Sequence, residues 1–475
     1  MNEISETKKE LLKESLPFKS KLSFGSITAA NVIMSQVAFA AITFYYNVKL
    51  GVPEEWIALA WIIFAAWNAI NDPLFGFIED RTKSKKYGRR IPYLRFGSPI
   101  YGFLFILCWF PFLTQNVLAL FINLILILFA FDTIYTITGL ITYSLPAEMA
   151  ISSKTRANLM VYGSIFSSLG FLVAFLLPVV LLTGDNTTEI SPAFLITMVI
   201  IGISCATVIF IGSFYINENK YTQLEEPLGM LEGLKETFKN KPFLIFEVSN
   251  FSFLLAQTIL TSAVFYYINF VLGLSGLLSM VPLLIFFLMV FAFTPVYSKM
   301  VGKYGLKKMY IVSFLISGVG FILLFFLGWT FFTALIALLF IGIGFSGIFL
   351  TSQAVFAECI DFDEVRTEKR RETTYSGVNA LITKPAISIA NFLFLLVISS
   401  FGFQRAAQTQ SPSAQLGIMI GFTIIPAIFI IISALVVKFF PLYGPEWEEK
   451  KVELKKIHER KEKEYISNLK EEGII

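Results

Sequence analysis

Asn68 and Asp72 stand four residues apart inside a long apolar run, so on a helix they share one face. An amide oxygen beside a carboxylate is half of a site for a hard cation or a proton, since both offer oxygen ligands. Asp132 and Thr136 repeat that spacing in a later run, and Gly139, near the same face, leaves space. Lys384 lies in a third run, directly before Pro385. Proline removes a backbone donor and tends to kink a helix, while a buried lysine readily shifts its pKa or pairs with a carboxylate. A charge inside an apolar segment costs several kcal/mol unless it has a partner or a task. The structural alternative is an ion pair, Asp72–Lys384 or Asp132–Lys384, that holds helices together; such pairs gain little over apolar packing. Asn31, Gln36, Gln257, Gln353 and Asn379 are hydrogen-bonders for a solute or glue between helices. Tyr143 and Tyr162 have side chains that could stack on a ring.

The elements that must position these groups follow from composition. The 475 residues are 56% hydrophobic and 15% charged, with a mean hydropathy of +0.71. A water-soluble domain is nearer a quarter charged, so this is an integral membrane protein. A spanning helix needs about 20 mostly apolar residues. That ruler gives about twelve helices, at 23–47, 56–79, 92–113, 116–146, 157–183, 191–216, 243–271, 276–299, 309–329, 331–357, 373–402 and 413–440. The polar, lysine-bearing residues 1–21 predict no cleaved signal peptide. Cys108, Cys205 and Cys359 show no ligand spacing and read as core residues. His458, in the tail, is the one histidine, so no histidine serves chemistry inside the membrane.

Alternate loops sort the basic residues. Of 38 Lys and Arg, all but Lys49, Lys384 and Arg405 fall on one side, which predicts a multi-pass cell-membrane protein with both termini in the cytoplasm. The loop holding Asp80, Arg81, Gly88, Arg89 and Arg90 reads as a cytoplasmic gate or brace, or as a charged anchor alone. The polar break at 217–242 divides the chain, giving segments 1–22, 23–216, 217–242, 243–440 and 441–475. Gly88-Arg89-Arg90 has a counterpart in Gly305-Leu306-Lys307-Lys308. Ala147-Glu148 with Arg156 and Tyr162 has one in Ala357-Glu358 with Arg366 and Tyr375. Two parallel six-helix repeats about a midplane site is the layout of major facilitator transporters. Asn186-Thr187-Thr188 matches a glycosylation sequon. The tail, 446–470, with a sparse apolar stripe at Leu454, Ile457, Ile466 and Leu469, reads as a solvated cytoplasmic helix, the alternative being a partner-binding helix.

Asn71-Asp72-Pro73-x-x-Gly76, Asp80-Arg81-Thr82-x-Ser84 and Gly88-Arg89-Arg90-x-Pro92-Tyr93 resemble the helix 2–3 signature of the glycoside–pentoside–hexuronide:cation symporters, melibiose-carrier relatives within the major facilitator superfamily. Lys21-Leu22-Ser23-Phe24-Gly25, Tyr135-Thr136, Lys239-Asn240-Lys241-Pro242-Phe243 and Tyr375-Ser376 through Lys384 extend the likeness over about residues 21–440. The resemblance implies an all-α membrane fold of two pseudo-symmetric six-helix bundles, a monomer, and symport of a sugar or glycoside with sodium or a proton. It implies that Asp72 and Thr136 belong to the cation site and that Lys384 links that site to the solute. Asn68 replaces the first cation-site aspartate. Val32, Gly139 and Ser164 replace solute-binding charges, and Tyr143 replaces a tryptophan. Asp132 could compensate in part.

The expectation is a cation-coupled secondary transporter with a small-molecule substrate, embedded in the lipid bilayer, with no cofactor beyond the coupling ion, no resident metal beyond Na+, and no nucleic acid. A lysolipid or other amphiphile is the alternative cargo, and a non-transporting sensor the distant alternative. With one acid lost at position 68, the coupling ion leans towards the proton. A membrane enzyme would need a nucleophile–base set or metal ligands in the spans, and the apolar runs offer no histidine and no paired cysteines. A phosphate-binding Gly-rich loop ending in Gly-Lys-Ser/Thr, as an ATP-driven pump requires, is absent from the sequence.

Overall fold

A long apolar run can satisfy its own backbone in hydrocarbon only as a helix or a closed barrel, and here every regular element among the described residues is helical. The computed structural model describes residues 16–81, 90–150, 153–184, 189–216, 237–368 and 371–471. In chain order the helices are α1 (Phe18–Phe44, extended by a π-helical turn, Tyr45–Lys49), α2 (Glu54–Arg81), α3 (Ile91–Leu107), α4 (Val117–Met149), α5 (Ser153–Leu182) and α6 (Pro192–Gly212). After the polar break come α7 (Lys241–Tyr266, extended by Tyr267–Val271), α8 (Val281–Tyr304), α9 (Leu306–Leu327), α10 (Phe331–Thr367), α11 (Glu372–Thr383) and α12 (Pro385–Ser400). The last are α13 (Pro412–Met419), α14 (Ile425–Val437) and α15 (Pro445–Glu471). Among the described residues, ten stretches are long and apolar enough to cross a membrane. The 28-residue α2 and the 17-residue α3 take the second and third places in the series.

Packing repeats between the halves. In the first, α1 packs on α4, α5 and α6, α3 on α4 and α6, and α2 on α4. In the second, α7 packs on α10, α12 and α14, α9 on α10 and α14, and α8 on α10. Each contact thus recurs six spans later, which is the pseudo-symmetry of the major facilitator fold. Between the halves, α2 lies along α11 and α12, α1 meets α7, and α5 meets α8 and the short turn before it.

Four boundaries differ from the apolar ruler. α1 starts at Phe18, behind Pro17, because Lys19 and Lys21 continue a helix outside the apolar run. α3 stops at Leu107 rather than 113, before Pro111. α10 runs to Thr367, well past 357, and ends on Glu368 in the left-handed region (φ 56°). Hydropathy ends at the charges of Glu358–Glu364, but those residues do not end a helix. The eleventh span is two helices, broken between Lys384 and Pro385 as proline dictates.

The tail also differs from a solvated helix. α15 lies against α10, with Trp447, Leu454 and Ile457 buried. Lys451 Nζ reaches Glu358 at 2.8 Å, and Arg460 reaches Glu368 at 2.7 Å. The sparse stripe suffices because α10 projects far enough to receive it. Ile466 and Leu469 have side chains outside the described residues.

Opposite the termini, the halves are clamped. Tyr266 Oη donates to Asn47 Oδ1 at 3.0 Å, and Thr43 Oγ1 to Asn391 Oδ1 at 3.0 Å. Glu54 pairs with Arg405 at 3.5 Å, and Ser399 donates to Glu55. Gly184 N donates to Asn269 Oδ1 at 2.7 Å. Gly184 has φ +89°, and a Cβ there would stand 2.0 Å from Cβ of Ser275, so this crossing requires glycine.

Candidate functional site

The polar residues of α2, α4 and the α11–α12 break converge where the halves meet. Asn71 Nδ2 donates to Asp132 Oδ2, joining α2 to α4. One turn on from Asp132, Lys384 Nζ donates to Thr136 Oγ1 at 2.9 Å, joining the C-terminal half to α4. The same ammonium lies 5.6 Å from the ring centre of Tyr135, where the ring face is attractive to a cation. The kink at Pro385 directs this: it falls one residue after the lysine, at the place where α11 and α12 meet α2.

Asn68, Asn71, Asp132 and Thr136 are each no more than 2% exposed. Asn68 Oδ1 and Asn71 Oδ1 are buried with no hydrogen-bond partner. A buried, unpaired polar oxygen costs about 1–3 kcal/mol, so two on one helix face are a standing demand for a donor or a cation. Asn71 has committed its amide nitrogen to Asp132. With the Asp132 carboxylate, two neutral amide oxygens and the Thr136 hydroxyl, the cluster has a donor set that fits a hard monovalent cation or a proton on the carboxylate. Among the described residues there is no group of three or more His, Cys, Asp and Glu able to hold a metal ion.

The sequence assigns Asn68 and Thr136 to the cation site and makes Lys384 its link to the solute; the structure joins Lys384 to Thr136, and Asn68 stands on α2 three residues before Asn71. Asp72 lies within α2, and its side chain is outside the described residues. Asn71 is the residue that spacing overlooked: it stands three residues after Asn68, a helical neighbour by the same rule that selected Asp72. Asp132, expected at the solute, accepts a hydrogen bond from Asn71 Nδ2 of α2.

The other solute-side expectations scatter. Asn31 Oδ1 accepts from Tyr101 Oη at 3.1 Å and Thr138 Oγ1 at 3.3 Å, so it ties α1 to α3 and α4. Gln36 and Gln257 are half-buried. Asn379 Oδ1 accepts from Asn250 Nδ2 at 3.2 Å, joining α11 to α7. Tyr143 is 64% exposed, and its hydroxyl meets Ser376 Oγ at 2.9 Å across the halves. Around Gly139 the space is open: a Cβ there would find nothing nearer than 3.9 Å.

Of the gate residues, Arg90 is buried and its Nε lies 2.7 Å from Glu148 Oε1, bracing α3 against the end of α4. Gly88 and Arg89 lie outside the described residues, as do the side chains of Asp80 and Arg81. In the second half the comparable buried pair is Asp363–Arg371, between α10 and α11, and Glu358 pairs with Lys451 of the tail. The three cysteines are free and buried. The Asn186 sequon lies outside the described residues.

Residues 23–444 match the family model described as MFS/sugar transport protein. Among curated proteins, the chain is 25% identical over 457 residues to an uncharacterised symporter, YnaJ, of Bacillus subtilis, covering 93% of this chain and 94% of that one. It is 22% identical to a glucuronide carrier protein homologue of Escherichia coli, covering 86% and 89%. It is 25% identical to a putative sulfoquinovose importer of the same species, covering 96% and 97%. Among solved structures, a D-xylose–proton symporter superposes with a TM-score of 0.65 at 15% identity, covering 90% of this chain and 98% of that one.

Proposed function

Because this chain belongs to the family of MFS/sugar transport proteins, we propose that it is a cation-coupled symporter of a small glycoside-type solute, working by alternating access in the cell membrane with both termini cytoplasmic. The observation that carries this is the Lys384–Thr136 contact beside the Asn71–Asp132 pair. One ammonium from the second half ends on the cation-type cluster of the first. A cation bound by Asp132, the free amide oxygens of Asn68 and Asn71 and the Thr136 hydroxyl competes with that ammonium for Thr136. Binding therefore changes how α11–α12 sits on α4, and any ligand that prefers one arrangement shifts the population towards it. In this reading the conformation clamped opposite the termini is closed to the outside.

The lost acid at position 68 and the gained one at 132 support a proton as the coupling ion, carried by a carboxylate. Family membership and the relatives' names favour transport over enzymatic work. Asp72, on the same helix, is the second carboxylate proposed for the cation. The chain is proposed to act as a monomer, since each half completes the site of the other. The glycoside class rests on the family and on the names of the glucuronide and sulfoquinovose relatives.

Uptake into proteoliposomes tests this. Labelled glycosides, hexuronates and a lysolipid are offered with a proton gradient, a sodium gradient and neither. Glycoside accumulation driven by the proton gradient is the expected result. Accumulation driven by sodium alone overturns the ion, and accumulation of lysolipid alone overturns the solute.

A further inference from the structure

Away from that cluster, α3 and α6 meet along a groove with exposed walls. Gly102 and Gly202 are buried at its floor and bring the two helices into contact. A Cβ on Gly102 would stand 2.7 Å from the Gly202 carbonyl oxygen and 2.6 Å from Cβ of Ala206. Pro99 and Phe103 on one side and Ile203 and Phe210 on the other are exposed and line the opening. Pro99 lies inside α3, where a proline kinks a helix. The groove holds about 380 Å³, within the range of about 300–1,000 Å³ usual for ligand sites.

At the end nearest the termini the groove runs into cations. Arg95 stands four residues before Pro99 and Phe214 four after Phe210, so each continues the stripe that lines the groove. The Arg95 guanidinium lies 3.9 Å from the ring centre of Phe214. Its Nε donates to Ser213 Oγ and its Nη2 to Ser213 O, both at 3.1 Å. Lys19, exposed at the start of α1, lies 5.9 Å from the ring centre of the neighbouring Tyr215. A guanidinium held in one orientation suits a phosphate, whose oxygens match its fork, and exposed aromatic rings suit the membrane–water boundary.

The dimensions and the charges single out one occupant. From Arg95 to Ile106 the stripe rises about 16 Å along α3 at 1.5 Å per residue, and one leaflet supplies half of a hydrocarbon core about 30 Å thick. An acyl chain below a headgroup at Arg95 therefore fits the groove end to end. A second transmembrane helix would need small residues for close approach, but Gly102, Gly202 and Ala206 are already packed on one another. Two cations facing one phosphate favour a headgroup without an ammonium of its own.

We propose that this groove binds one anionic phospholipid of the leaflet on the side of the termini, with its phosphate between Arg95 and Lys19 and one acyl chain between α3 and α6. The bound lipid ties α1, α3 and the chain leaving α6 together at the membrane surface. The proposal rests on the fold alone and uses neither the solute nor the coupling ion.

The test uses the full chain in detergent with a phosphatidylglycerol that carries a photoactivatable group on one acyl chain. Crosslinked residues are mapped by mass spectrometry, with unlabelled phosphatidylglycerol, phosphatidylcholine or inorganic phosphate as competitor. Adducts are expected to concentrate on the groove residues of α3 and α6, and to be displaced by phosphatidylglycerol far better than by the other two. Lys19→Gln should lower labelling at subsaturating lipid about fivefold, the contribution of one basic residue near a membrane surface. Thr207→Trp, which fills the groove from an exposed position, should remove labelling from both helices. Labelling spread evenly over all spans overturns the proposal, as does equal displacement by phosphatidylcholine. Equal displacement by inorganic phosphate reduces the site to a free-anion site and also overturns it. A dimer joined through α3 and α6 in native mass spectra would make the groove an interface between copies instead. If Thr207→Trp fails to fold, the competition series and Lys19→Gln decide the matter.

Discussion

At Asp132 the chain keeps a carboxylate one helix away from Asn68, and Asn71 holds it there. Asp132→Asn removes that charge and confronts one amide with another. The new amide oxygen can still accept from Asn71 Nδ2 but offers no charge to a cation or proton; interactions with a charged group are worth about 1.5–3 kcal/mol, so gradient-driven uptake is expected to fall roughly ten- to a hundredfold. Solute exchange with equal ion on both sides should survive. Returning the acid to α2 in Asn68→Asp/Asp132→Asn should recover part of the coupled uptake. Undiminished uptake by the single variant would remove Asp132 from the site. At Lys384 the expectation is different: Lys384→Met breaks the link to Thr136. Ion binding, read by calorimetry, should persist while its effect on solute affinity disappears.

The elements matter through their ends. The crossing of Gly184 with Ser275 admits no Cβ, and the adjacent Gly184 N–Asn269 bond seals α5 to the end of α7. Gly184→Ala should loosen this face without unfolding the bundles, because the strain sits at a helix end. A cysteine placed at Val52, fully buried in this conformation, is expected to react with a membrane-impermeant maleimide several times faster in the Gly184→Ala background. An unchanged rate would mean that the clamp rests on Asn47, Glu54 and Arg405 instead.

For the molecule as a whole, α15 acts as a clasp. It buries Trp447, Leu454 and Ile457 on the projecting end of α10, which also carries Asp363, the anchor of α11. Burying an aliphatic side chain of this size contributes about 1.5–3 kcal/mol. Leu454→Asp/Ile457→Asp should therefore lower the melting temperature in detergent by several degrees. If the clasp is a brace alone, initial uptake rates at low temperature stay near those of the wild type. A large loss of uptake with an unchanged melting temperature would give the tail a regulatory task.

Hydropathy determined that the chain crosses the membrane many times, since a spanning segment needs only length and apolarity; ten such stretches stand among the described residues. Helical spacing exposed Asn68, Asp132, Thr136 and Lys384, because polar groups inside apolar runs are few and each carries a desolvation cost. The same spacing did not select Asn71, whose role depends on what stands opposite it on α4. The sequence names Asn31 and Tyr143 as candidate solute contacts, and only the packing shows that Asn31 ties α1 to α3 and α4 and that Tyr143 lies exposed beside Ser376. Nor could it show that Arg95 lies over Phe214 or that the tail docks on α10, for each depends on elements distant in the chain. Local composition decides where a helix must lie, because desolvation acts residue by residue. Only the tertiary structure decides which polar groups meet, because partnership is a matter of distance between segments that the sequence keeps apart.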